Sequence, residues 1–535
     1  MLFNSYEFIF AFLPVTLATF YLLARWNARW AAGWLVLCSI GFYGWWNPSF
    51  VVLLLGSIAF NYSVGTAILV SGPARPARQS MLLVGGIAAN LSLLFYYKYL
   101  FPLIGFLGVA EGTSWAGTVI LPLGISFFTF TQIGYLVDCR QGAVTERGAL
   151  DYALFVTFFP HLIAGPILHN REMMPQFADP RTYRFQLENI TVGLSIFAIG
   201  LCKKVLIADP LAPSADWGFA DPTGLSCFGA WLAVLSYSLQ LYFDFSGYSD
   251  MAIGLARMFG LRFPLNFDSP YKARSIIDFW QRWHLTLTRY LTLYLYNPVA
   301  LRAARRQAAQ ATAPSPQPVQ KFKNFLNVVL LPTFFTMTLA GIWHGAGLQF
   351  LVFGLLHASY LSINHAWRLF GPRRPKGASR PWGAVLVAMA LTYFAVLIGQ
   401  IFFRAASVGD AVAIIGGMLG RHATPGEIVI PGQLASHFAG LIDRLASQGL
   451  VTIGATAADL KAWLRVVVGF AIAWGLPNTQ QIMAAYRPAL GKVKPGSIRL
   501  LTWQPGVRWG LVTAMLLLTG VFNLANVTRF LYFQF

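Results

Sequence analysis

Asn327–Gly347 reads NVVLLPTFFTMTLAGIWHGAG. Its first part, Asn327–Ala340, is an apolar run suited to a helix in hydrocarbon, where every backbone N–H and C=O has to be satisfied inside the segment. Its end places an imidazole, His344, between Gly341 and the pair Gly345 and Gly347. An ionisable side chain is costly in lipid, so it faces either a protein partner or a hollow. Whether lipid is the right solvent is decided by composition.

Of 535 residues, 56% are hydrophobic and 11% charged, and the mean hydropathy is +0.58. A soluble domain carries roughly a quarter charged residues, so the chain falls outside that class. Apolar runs of about 20 residues recur along its length, as repeated membrane crossings require. The expected fold is all-α: one polytopic bundle of roughly a dozen transmembrane helices, with re-entrant or broken helices around a central tunnel. The net charge of +20, from 39 Lys+Arg against 19 Asp+Glu, is spread over short loops. That is the pattern of cytoplasmic loops and anionic lipid contact; the single basic patch of a nucleic-acid binder is missing. Cys38, Cys139, Cys202 and Cys227 show no ligand spacing, so no metal is expected. The first apolar run has its basic residues after it, which marks a first transmembrane helix and not a cleaved leader.

The arginines orient the chain. Arg25 and Arg29 follow the first run, and Arg75 and Arg78 follow the third, which places those loops in the cytoplasm and the N-terminus outside. Trp45 and Trp46 then fall at the outer interface. Arg282, Arg289, Arg302, Arg305, Arg306, Lys321 and Lys323 gather in one stretch that should be cytoplasmic. Within it, RRQAAQATAPSPQPVQKFK reads as a low-complexity, mobile linker. Residues 325–343 run outward, 348–367 return, 382–403 run outward again, and the last helix ends outside. The segments expected are a membrane core over 1–404, an extracytoplasmic insert over 405–463 and C-terminal transmembrane helices over 464–535. Residues 151–168 are apolar yet flanked by basic loops and interrupted by Pro160, Gly165 and Pro166. They read as a re-entrant segment, and with LPLGISFFTFTQIGYLVD they imply a protein-lined hollow.

Ionisable groups within apolar runs are Asp244, Asp250, His161, His284, His344, His357 and His365. His161, His357 and His365 suit helix–helix hydrogen bonding, while His169, His422 and His437 fall in loops and read as solvated. Asp244 and Asp250 read as acceptors holding neighbouring side chains. His344, beside Trp343 and its glycines, fits a general base at the mouth of a hollow equally with a structural hydrogen bond.

NFDSPYKARSIIDFWQRWHLTLTRYL, starting at Asn266, followed by GIWHGAG, resembles the membrane-bound O-acyltransferase family. LPLGISFFTFTQIGYLVD, FPHLIAGPI, LQLYFDFSGYSDMAIGLARMFG, FFRA, LPNTQQI and the ending YFQF extend the resemblance over nearly the whole chain, toward the bacterial branch of alginate O-acetylation. The resemblance implies that His344 is catalytic and His284 functionally important. It places Asn266, Asp268, Tyr271 and Trp280 near the acyl-donor side, with Trp343, Arg282 and Asp244 completing the candidate set. One departure is RYLTLYLYNPVA, where Thr292 and Leu293 stand in place of an Arg-Asp pair usual in alginate-type relatives.

The expectation is therefore a multi-pass enzyme of the bacterial inner membrane with both termini periplasmic. It would move an acyl group, most simply acetyl from acetyl-CoA, to an extracytoplasmic polysaccharide, alginate-like or another exopolysaccharide, without a tightly bound cofactor. Its partners would be a periplasmic esterase-like acetyltransferase, the polysaccharide acceptor and membrane lipids. Peptidoglycan O-acetylation and D-alanyl transfer are the alternatives within the fold. A proton-coupled exporter of a polysaccharide precursor is the alternative outside it.

Overall fold

A backbone in hydrocarbon has to close its own hydrogen bonds, and helices account for most of the described residues. The computed structural model describes residues 1–106, 120–144, 148–309, 317–372, 381–421, 428–431, 439–447, 451–454, 458–524 and 530–531. Among the described residues, five helices are long and apolar enough to cross a membrane: Ser49–Ser71, Pro76–Gly105, Leu187–Ala220, Pro318–His344 and Trp382–Arg404. The other apolar runs form shorter helices, such as Phe8–Ala24 and Val507–Phe522, or broken and more polar ones packed among them. Against the roughly dozen crossings expected, the described residues hold five full-length candidates, with the remaining apolar runs in shorter helices.

At the centre lies Cys227–Met258, a 32-residue helix capped by Ser226, whose side chain accepts from the Gly229 N–H. From Leu232 to Met258 nearly every residue is buried, so this helix has no lipid-facing side. Helix Leu187–Cys202 lies against it at backbone distance. A Cβ at Gly193 would meet the Gly254 carbonyl at 2.5 Å, and one at Gly200 the Gly247 carbonyl at 2.7 Å. Small residues are what permit such approach within a membrane.

Two lysines on the neighbouring stretch, Lys204 buried and Lys203 partly so, neutralise the aspartates of the central helix. Lys204 Nζ lies 2.7 Å from Asp209 and 2.6 Å from Asp244; Lys203 Nζ lies 2.6 Å from Asp250. Asp250 also accepts from the Thr479 hydroxyl and the Gln480 amide. The end of the chain closes on the same charges: the Leu531 N–H donates to Asp244 at 3.1 Å, and the Phe530 ring lies 4.7 Å from Lys204 Nζ.

The interrupted segment 151–168 holds two short helices, Ala149–Thr157 and Phe159–Leu162, joined through a non-helical Phe158. Nearly all of it is buried in protein. The other interrupted element packs against that break. Gly124, at φ +73°, leads into helix Ile125–Arg140, and a Cβ there would sit 2.9 Å from the Leu162 carbonyl.

Three features differ from expectation. His169 is buried, not solvated, with Nδ1 3.1 Å from the Tyr294 hydroxyl. The insert expected from residue 405 begins with core: helix Val408–Met418 packs on the central helix, and its Met418 carbonyl accepts from Cys227 and Trp231. Beyond it, Ile428–Pro431 pairs in parallel with Val451–Gly454, a small sheet added to an otherwise helical fold. His422, His437 and linker residues 310–316 lie outside the described residues.

Candidate active site

Helix Leu331–His344 ends at His344, where Gly345 turns extended at φ −170°, and Leu348–Phe370 returns beside it. The glycines now have a reason. A Cβ at Gly354 would lie 2.5 Å from the Met337 carbonyl and 3.2 Å from Gly341 Cα, so these helices touch backbone to backbone. At Gly345 the Phe350 ring occupies the space of a side chain. His344 is buried, its ring centroid 4.8, 5.8 and 4.9 Å from those of Trp343, Phe353 and Phe403.

A helix end leaves carbonyls without intrahelical donors. Here Lys98 Nζ donates to the Trp343 carbonyl at 2.6 Å and to that of His344 at 3.0 Å, and the Tyr99 hydroxyl donates to Ile342 at 2.9 Å. A cation at this end also suits the helix dipole. The backbone bearing His344 is therefore held from a different helix, Pro76–Gly105.

His284 is placed by strain and by Asn266. It caps helix Leu285–Leu291 at φ 44°, ψ 53°, a left-handed conformation uncommon outside glycine and asparagine. Its Nδ1 lies 3.0 Å from Asn266 Oδ1, which also accepts from the Thr286 hydroxyl at 2.9 Å and its backbone N–H at 3.4 Å. Asn266 Nδ2 in turn donates to Ser249. The segment on both sides of His284 is thus tied back to a loop and the central helix.

Both histidines line one chamber, among Phe245, Trp280, Phe353 and Phe403. His344 also lines a second, wider cavity, a vestibule with Trp46, Lys98, Leu121, Ser126 and Trp343. His344 is the residue common to both. The chamber is apolar and aromatic, with few polar groups, as a route for an acyl chain requires. Among the described residues no cluster of His, Cys, Asp and Glu is arranged to hold a metal ion.

The remaining candidates divide. Trp280 lines the chamber and Trp343 the vestibule, stacked on Phe130 at 4.8 Å. Tyr271 stands behind the chamber wall, donating to the Ser238 carbonyl and accepting from Gln400. Asp268 holds Asn478 and Gln481, and Arg282 pairs with Asp278 at 2.7 Å; neither is among the residues lining the chamber. Asp244 is bound up with Lys204 away from it. The sequence reading passed over Lys98, an ionisable group inside an apolar run, and placed His357 with the structural histidines. His357 lines the chamber with His284 and His344. Lys98 was legible in YYKYL; the position of His357 was not, because it depends on which helices meet.

The model of the MBOAT, membrane-bound O-acyltransferase family, matches residues 123–313. The peptidoglycan O-acetyltransferase of Helicobacter pylori is 41% identical over 452 residues, 78% of this chain and 80% of that protein. The probable alginate O-acetylase AlgI of Pseudomonas aeruginosa is 37% identical over 415 residues, 76% and 72% of the two chains. The teichoic acid D-alanyltransferase of Bacillus subtilis is 25% identical over 346 residues, 64% of this chain and 83% of that one. With relatives this similar over most of their length, the chain belongs to the membrane-bound O-acyltransferase family and is a multi-pass O-acyltransferase.

Proposed function

We propose that the protein passes an acetyl group from a cytoplasmic thioester, acetyl-CoA, through the bacterial inner membrane to a hydroxyl of an extracytoplasmic polysaccharide. The observation that carries this reading is that His344 lines both the chamber and the vestibule. Trp46, expected at the outer interface, lines the vestibule, and Trp280 and Trp283, beside the basic Arg282, line the chamber. The chamber then takes the donor from the inside, and the vestibule takes the acceptor from the outside.

In the simplest chemistry His344 accepts the acceptor hydroxyl's proton as the hydroxyl oxygen bonds to the thioester carbonyl carbon. The C–S bond then breaks, and the thiolate leaves and takes up a proton. Alternatively the imidazole nitrogen attacks first and holds the acetyl group until the acceptor arrives. The polysaccharide is peptidoglycan or an alginate-like polymer, as in the names of the relatives, with a periplasmic esterase-like protein completing delivery. Both termini lie on the periplasmic side.

The test uses purified protein in nanodiscs with acetyl-labelled acetyl-CoA, comparing wild type with His344→Ala while following free CoA and the label together. Release of CoA with label moving to protein or glycan, lost in the variant, is the expected result. A variant as active as wild type would remove His344 from the chemistry. No CoA release by the wild type would favour an exporter.

A further inference from the structure

Among the described residues, three imidazoles line the chamber: His284, His344 and His357. The protein fixes which nitrogen of His357 carries the proton. Trp280 Nε1 lies 3.3 Å from His357 Nδ1. An indole N–H only donates, so Nδ1 holds the lone pair and the ring proton sits on Nε2. That nitrogen lies against helix Trp382–Arg404 at Gly399, where any Cβ would be 2.7 Å away. On either side of Gly399, Val396, Gln400 and Phe403 form chamber wall. The proton-bearing edge of His357 therefore abuts this wall at a residue with no side chain to cover it.

His284 is fixed in the opposite sense. The Thr286 backbone N–H can only donate, so the Asn266 atom 3.4 Å from it is the oxygen. In neutral His284 the proton is then on Nδ1, which donates to that oxygen at 3.0 Å, and Nε2 is the basic nitrogen. The chamber thus combines one imidazole whose Nε2 accepts with one whose Nε2–H donates.

We propose that His357 is a further substrate-contacting residue: its Nε2–H donates to the carbonyl oxygen of the acyl thioester, held in that tautomer by Trp280. The oxygen gains negative charge when the carbonyl carbon is attacked and loses it when the C–S bond breaks. A fixed donor in a dry site stabilises that charge. This inference rests on the chamber being the acyl-donor site.

The test measures CoA release from acetyl-CoA by the full-length protein in nanodiscs for wild type, His357→Phe, His357→Gln and Gly399→Ala. Loss of an oxyanion donor costs about 10²–10³ in kcat. His357→Phe should fall by about that factor with KM little changed, and His357→Gln, which keeps an N–H donor, should recover part of the loss. Gly399→Ala should lose rate with its histidine intact. Wild type active with His357→Phe within about threefold of it would overturn the role of His357 and leave the function reading standing. No CoA release by wild type would overturn both. A measurement independent of variant folding uses protein labelled with ¹⁵N-histidine. The His357 resonances should report Nε2–H in the free protein and shift on adding the ketone analogue of acetyl-CoA. An Nδ1–H tautomer there would overturn the proposal.

Discussion

At the scale of single residues, the site depends on groups that hold the two histidines as well as on the histidines themselves. His284 occupies a left-handed conformation that costs an ordinary side chain about 1–2 kcal/mol. Asparagine tolerates it and a β-branched residue does not. His284→Asn should keep the wild-type melting temperature in detergent and lose turnover, whereas His284→Val should lose both; equal stability of the two would show that the backbone is not constrained there. Lys98 makes a second case. Its ammonium holds the carbonyls of Trp343 and His344, and hydrogen bonds to a charged group contribute about 1.5–3 kcal/mol. Lys98→Met should cut turnover about tenfold or more, with Lys98→Arg intermediate, in a CoA-release assay. Wild-type kcat in Lys98→Met would mean that the end of the His344 helix is held well enough without it. Of these residues, His344 and His284 could be picked out from their motifs. The hold on them could not, since Lys98 reaches His344 across 246 residues and Asn266 meets His284, 18 residues on, only through the fold of the segment between them.

At the scale of elements, the sequence shows where helices run and the structure shows how closely they cross. The runs expected to leave and return around GIWHGAG are the helices Pro318–His344 and Leu348–Phe370. Their glycines predicted a break or a close approach, and both occur: Gly345 ends the helix, while Gly341 and Gly354 bring the two backbones together. A methyl group at Gly354 would have to displace backbone, and overpacking of this kind costs about 1–3 kcal/mol. Gly354→Ala should therefore lower the melting temperature and, by moving His344, also lower turnover. Gly383, with nothing within 4 Å of a built Cβ, should tolerate alanine in the same assays. Equal behaviour of the two variants would contradict the crossing. The boundary at residue 405 shows the limit of reading elements from polarity. Val408–Met418 follows a charged turn and resembles the start of a loop domain, yet its apolar face belongs to the core.

At the scale of the whole molecule, the buried charges join parts of the chain far apart in sequence. Lys204, Asp209 and Asp244 connect the helix Leu187–Ala220 to the central helix, and Asp244 also receives the backbone of Leu531. Removing one member of a buried ionic group leaves a charge without compensation, at about 3–5 kcal/mol. Lys204→Met should reduce the folded fraction seen by size-exclusion chromatography after heating. Adding Asp244→Asn and Asp209→Asn should restore part of it. A single variant as heat-resistant as wild type would mean that these carboxyl groups need no cation.

Sequence alone determined that this chain lives in lipid, that it is helical, roughly where its runs turn, and which two histidines carry the family's motifs. Each of those properties is local: hydropathy, glycine and proline placement, and short patterns of residue type act over a few turns of helix. The tertiary structure decided that His284 and His344 share a chamber, that His344 also faces a vestibule, and that His357 joins them. It likewise decided that Asp244 is paired with Lys204 instead of lining the site. A cavity is a property of surfaces brought together from distant segments, and a buried charge takes its role from whichever partner packing brings within reach. Neither is written in any one stretch of the chain.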